Sequence, residues 1–137
     1  MNKVLVTVVA VALAGAAIWW TQNRQGSTGT GERIVRVAVP LSLPPMAEQG
    51  KTAFDANCAS CHGPNGSGRD GLAPPLIHKI YEPSHHSDMA FTLAVRQGVR
   101  AHHWRFGNMA PVEGVSDTSI EAITTYIREL QRANGIN

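Results

Sequence analysis

The chain has 137 residues, enough for one compact domain and a tail. Twelve Lys and Arg against ten Asp and Glu leave a formal charge of +2, too small a surplus to argue for a nucleic-acid partner. The surplus is also N-terminal: from Met46 onward there are eight basic and nine acidic residues, so that portion is near −1.

Residues 4–23 carry no charge, and 4–20 are almost wholly apolar. Twenty helical residues span about 30 Å, the hydrocarbon thickness of a bilayer. Trp19 and Trp20 stand where amphipathic rings meet head groups. Residues 1–23 therefore read as a transmembrane anchor. The competing reading is a cleaved signal peptide, with residues 4–13 as its apolar core and Ala14-Gly15-Ala16 as the small-residue cleavage site. A buried core helix fits poorly, because the stretch has no polar face. Either export reading places the rest of the chain outside the cytoplasm.

Residues 24–45 read as a linker. The Gly, Ser and Thr of 25–32 suggest flexible chain. Residues 33–39 alternate, with Val35, Val37 and Val39 on one side, as in a short strand or extended chain. Pro40, Pro44 and Pro45 then punctuate the approach to a helix over 46–57. In that helix Gly50, Phe54 and Cys58 follow at four-residue steps and share one face. A glycine there lets a second helix approach closely.

The only two cysteines, Cys58 and Cys61, lie in the run Cys-Ala-Ser-Cys-His ending at His62. Thiols three positions apart can form thioethers with the two vinyl groups of one porphyrin. The histidine that comes next then lies under the ring and offers a nitrogen to iron. A redox dithiol is the alternative, but such pairs usually open a helix after a strand, and here a helical stretch comes first. A zinc site needs further ligands at fixed spacing, and there is no second Cys-x-x-Cys. A plain disulfide across so short a loop is strained.

Residues 76–105 are rich in histidine: His78, His85, His86, His102 and His103. They could hold a second metal, supply a distal haem ligand, or be solvated loop residues. The last reading suits most of them, since neighbouring histidines straddle both faces of any regular element. Ser87 can cap a helix running to about Gly98. Its pairs Met89/Leu93 and Phe91/Val95, each four apart, read as core packing around haem. Met109 lies in a loop bounded by Gly107 and Pro111, 47 residues beyond His62. Its thioether suits ferrous iron, which makes it the candidate sixth ligand, with Met89, a histidine or an open position as alternatives. The final helix shows Ile120, Ile123, Ile127 and Leu130 on one face, with Tyr126 beside them. Ser116 or Thr118 can cap its start, and Gly135 suits its end. This stripe needs a partner, and the Gly50/Phe54 face is available.

Together these features resemble the class I cytochrome c family over about residues 46–133. The resemblance implies an all-α fold, a small cytochrome c fold of three to five helices around one covalently bound haem c. Residues 46–137 would form that domain, behind the N-terminal transmembrane helix. Cys58 and Cys61 match the family's attachment points and His62 its proximal ligand. Ala73-Pro74-Pro75-Leu76 is similar to the family's Pro-x-Leu segment. By that match the Pro74 carbonyl accepts a hydrogen bond from the proximal histidine and Leu76 packs on haem, with Pro75 the near rival. Met109 matches the distal methionine, although Ala110 stands where many relatives have proline. Tyr126 matches the aromatic of the terminal helix.

The expected function is a single-electron carrier with His62 and Met109 as iron ligands. It is not an enzyme and has no small-molecule substrate: no nucleophile, base and acid constellation is present. Expected partners are redox proteins, namely membrane respiratory or photosynthetic complexes, and no nucleic acid. The expected location is the inner membrane, single-pass, with the haem domain on the periplasmic side, or the periplasm itself after signal cleavage. The alternatives are a haem-bearing subunit of a larger membrane oxidoreductase, and a haem enzyme or gas sensor with an open sixth position.

Overall fold

A computed structural model of the protein describes residues 29–137. The apolar stretch 4–20, expected as an anchor or signal, lies outside the described residues. Within them, no helix is long and apolar enough to cross a membrane. They form four helices: α1 Pro45–Asn57, α2 Ala59–His62, α3 Asp88–Gln97 and α4 Asp117–Ala133. Two 3-10 turns, Pro64–Gly66 and Lys79–Tyr81, connect them. No strand forms among the described residues; three isolated bridges pair short stretches of loop.

α1 begins with Pro45 in its first turn, where a missing N–H costs nothing, and Glu48 sits near its positive end. α4 begins at Ser116, whose hydroxyl accepts from the Ser119 N–H at 3.1 Å. The two helices cross at Gly50. A Cβ placed on Gly50 would lie 1.9 Å from the Ala122 carbonyl oxygen, so only glycine permits this approach. Around the crossing, Phe54, Tyr126, Ile127 and Leu130 are fully buried. The Phe54 and Tyr126 rings meet at 5.8 Å between centroids, inclined by 58°. The partner that the α4 stripe needs is thus the Gly50/Phe54 face.

α3 packs on α4 with one of its two expected pairs. Val95 is buried, and Phe91 packs against the core. Met89 and Leu93 lie on another side of the helix and do not join the protein core. The two pairs are offset by two residues, about 200° around a helix, so they cannot share a face. Met89 instead lines a groove with Asp117 and Glu121 of α4.

Residues 29–44, expected within a linker, run over the surface of the domain. Ile34 and Val35 donate to Ser67 O at 3.2 and 3.0 Å. Asn134, just past α4, accepts from Ala38 N and donates to Ala38 O, both at 2.9 Å. Val37 and Leu43 pack against the core. Of the 33–39 alternation only Val37 packs inward and Val39 is exposed. Backbone hydrogen bonds, including Gly31 N to Asp70 O at 3.1 Å and Asp70 N to Glu32 O at 2.9 Å, hold the segment down beside the single bridge between Arg33 and Arg69.

Candidate functional site

α1 passes almost directly into α2, with Cys58 at the junction. The Cys58 N–H still bonds to Phe54 O at 2.8 Å, while the Cys58 carbonyl accepts from His62 N at 2.9 Å. Cys58, Cys61 and His62 therefore occupy one turn at i, i+3 and i+4, on one face. Both cysteines are free; Cys58 is half-buried and Cys61 exposed. Burial, with Cys61 adding, pushes the Cys58 thiol up to about 11. Gly63 ends the turn.

His62 is half-buried, and its Nδ1 lies 2.9 Å from Pro74 O. A carbonyl can only accept, so Nδ1 carries the proton and donates. The lone pair is then on Nε2, free for a metal. Burial lowers the pKa of His62, and the Pro74 contact offsets part of that. The loop that presents Pro74 is tied at several points. Arg69 and Ala73 exchange backbone bonds at 2.9 and 3.1 Å, and Leu76 N donates to Gly66 O at 2.8 Å. Gln131 of α4 donates to Leu76 O at 3.0 Å. Leu76 is half-buried against the core.

Met109 is half-buried and held by a reciprocal bridge: Val99 N to Met109 O and Met109 N to Val99 O, both at 2.9 Å. Gly98 (φ 74°) makes room for it, since a Cβ there would fall 2.4 Å from Met109 O. Val112 N then donates to Val95 O at 2.8 Å, fastening the far side of the loop to α3. The backbone of the Met109 loop is thus fixed at both ends.

The side chains present suit a porphyrin with anionic edges. Two free thiols and one imidazole with an unengaged Nε2 share a face. Among the described residues, two buried side-chain nitrogens lack a hydrogen-bond partner, Arg69 Nε and Trp104 Nε1. Trp104 lies close enough to Tyr81 to offset part of the rise that burial imposes on its hydroxyl, yet makes no hydrogen bond of normal geometry. Unsatisfied donors of this kind suit carboxylates such as haem propionates.

Residues 47–131 match the family model for cytochrome c. The chain belongs to the cytochrome c family. No match was found among curated proteins or among solved structures. Membership of the cytochrome c family brings a covalently attached haem c, with which Cys58, Cys61 and the Cys-x-x-Cys-His run are consistent, and haem-based electron transfer.

Two features of the cytochrome c domain escaped the sequence reading. Arg128, on the face that also carries Thr124 and Gln131, has only 7% of its side chain exposed. It donates to Asp88 at 2.8 Å, Tyr81 O at 2.8 Å, Gln131 Oε1 at 2.6 Å and also to His86 O, and lies 5.0 Å over the Phe91 ring. A charged residue beside Ile127 on an apolar stripe was its one sequence signal. Tyr126 donates to Asn65 at 2.8 Å, where Asn65 is the single non-glycine residue with positive φ among those described. The histidines, expected mostly as solvated, lie at the surface but converge. His86 and His103 rings stand 5.3 Å apart, and His102 and His103 rings 4.1 Å. His78 instead packs edge-on against Trp104 at 5.1 Å.

Proposed function

We propose that this cytochrome c domain is a single-electron carrier whose iron is held between His62 and Met109, working outside the cytoplasm beside a membrane. The observation that carries this reading is the 2.9 Å hydrogen bond from His62 Nδ1 to Pro74 O. It fixes the tautomer and ring orientation, leaves Nε2 as the ligand atom, and strengthens it as a donor. Cys58 and Cys61, one turn apart, are the thioether positions that fasten the group to the same face. Leu76 supplies apolar packing beside Pro74.

Met109 is favoured for the sixth position because its loop is braced from both sides by backbone bonds. Met89 is a poorer candidate: it lies in a groove with carboxylates of α4, Asp117 and Glu121. Bound haem supplies the one-electron chemistry, its iron alternating between ferrous and ferric. A thioether on one side favours the ferrous form and raises the potential. With both axial positions filled by side chains, no site remains for a substrate, which fits a carrier and not an enzyme.

Residues 4–20 support tethering to the inner membrane with the domain on the periplasmic side; cleavage of the segment would leave a soluble periplasmic carrier. A tether raises the effective concentration at membrane redox complexes, the partners expected for such a carrier. Met109→Ala tests the ligand assignment. The oxidised protein should lose its methionine-to-iron charge-transfer band, and the reduced protein should gain rapid carbon monoxide binding. Persistence of the band would remove Met109 from the site.

A further inference from the structure

The haem reading leaves the surface histidines without a role, and three of them meet. His85, His86 and His103 each present a ring nitrogen, and these atoms lie within 4.8 Å of one another. His85 and His86 come from one turn, where both backbone N–H groups donate to Glu82 O at 3.0 and 2.8 Å. His103 arrives from the loop before Trp104. The His85 Nε2 to His103 Nε2 distance is 3.4 Å. Two nitrogens bound tetrahedrally to one metal at 2.0–2.1 Å are separated by about 3.4 Å, the same edge. His86 is already oriented: its Nδ1 donates to Ile80 O at 2.7 Å, which leaves the lone pair on Nε2.

We propose that His85, His86 and His103 form a surface site for one divalent transition-metal ion of the Zn²⁺ or Cu²⁺ kind, with water in the remaining position. Three imidazoles without a carboxylate or thiolate suit these borderline ions and not Mg²⁺ or Ca²⁺, which take oxygen ligands. The farthest pair must close by up to about 1.4 Å to bind at normal bond lengths. His85 and His103 are exposed, so their side chains are free to make that movement. His102 stands beside His103, with Nδ1 2.8 Å from Arg100 O, and its Nε2 is a spare donor. An ion here joins the 85–86 turn to the loop that runs through Trp104 to Met109. It is a brace between two segments that otherwise share few bonds.

The test uses the full-length, untagged holoprotein, loaded with Zn²⁺ and dialysed against metal-free buffer. Elemental analysis then gives the zinc-to-iron ratio, with haem iron as the internal standard. The expected ratio is about one. His85→Ala with His103→Ala should lower it to about a tenth or less, while His78→Ala should leave it unchanged. The haem spectrum and far-UV circular dichroism check that each variant is folded. Should the double variant fail to fold, Cu²⁺ added to the wild-type protein decides through its electron paramagnetic resonance. Hyperfine coupling to several nitrogens supports the site, and an oxygen-dominated spectrum overturns it. A wild-type ratio near zero, or one that the folded double variant retains, also overturns it.

Discussion

Gly50→Ala sets two known effects against each other. In a free helix the change is favourable by about 1 kcal/mol. In this protein the added carbon would fall 1.9 Å from Ala122 O, where ordinary contact begins at 3.4 Å. The obstacle is backbone, so no rotamer change relieves it, and α1 and α4 must part by about 1.5 Å. A radial gap of that size forfeits half or more of the dispersion contacts at the crossing, where Phe54, Tyr126, Ile127 and Leu130 are fully buried. Overpacking against rigid backbone costs about 3 kcal/mol, the upper end of the usual range, which leaves a net loss of about 2 kcal/mol. For a domain of this size that lowers Tm by about 8–16 °C. Thermal unfolding of the holoprotein, followed by circular dichroism, measures it. An unchanged or raised Tm would mean that the helices do not cross at Gly50.

Arg128→Ala leaves the His86 carbonyl and Gln131 Oε1 without this donor, while Tyr81 O keeps Gln131 Nε2 at 3.1 Å and the Asp88 left behind is 72% exposed. It should cost about 2–3 kcal/mol in urea unfolding, and a loss under about 1 kcal/mol would show that water replaces the guanidinium. Tyr126→Phe carries a pH signature. Burial, with Asp55 adding, raises the Tyr126 hydroxyl from 10.0 to about 12. The folded state thus keeps a proton that the unfolded chain releases, so this contribution is whole below about pH 10 and fades as pH rises toward 12. The phenylalanine variant should lose about 1 kcal/mol at neutral pH, because Asn65 loses its donor, and should show a shallower alkaline decline. An alkaline profile identical to wild type would assign that decline to other groups.

Much of this domain was legible in the residues because its signals are local. The four-residue steps of Gly50, Phe54 and Cys58 and the stripe from Ile120 to Leu130 specified two faces that had only each other to cover. The observed α1/α4 crossing is the consequence. The Ser116 cap and the Gly98 terminus were equally readable, since each is a backbone requirement met by one residue type. What escaped depends on contacts distant in sequence. The burial of Arg128 is decided by carbonyls 42 and 47 positions away, which no helical periodicity encodes. The histidines are solvated as expected for most of them, but their convergence was hidden for a related reason. Adjacent histidines diverge on a helix or strand, but residues 85–86 and 102–103 lie in turn and loop, where the chain can aim them at one point. The docking of 29–44 rests on Val37 of the visible alternation, and on bonds to Asn134, Ser67 and Asp70, which were not visible.

The proposed role depends on an iron with both axial positions closed by this chain. The most direct measurement is the optical spectrum of the ferrous holoprotein at neutral pH before and after carbon monoxide. A carrier ligated by His62 and Met109 should keep its spectrum, with binding absent or sluggish. A rapid, complete shift of the main haem band would contradict that closure and point to a ligand-binding haem.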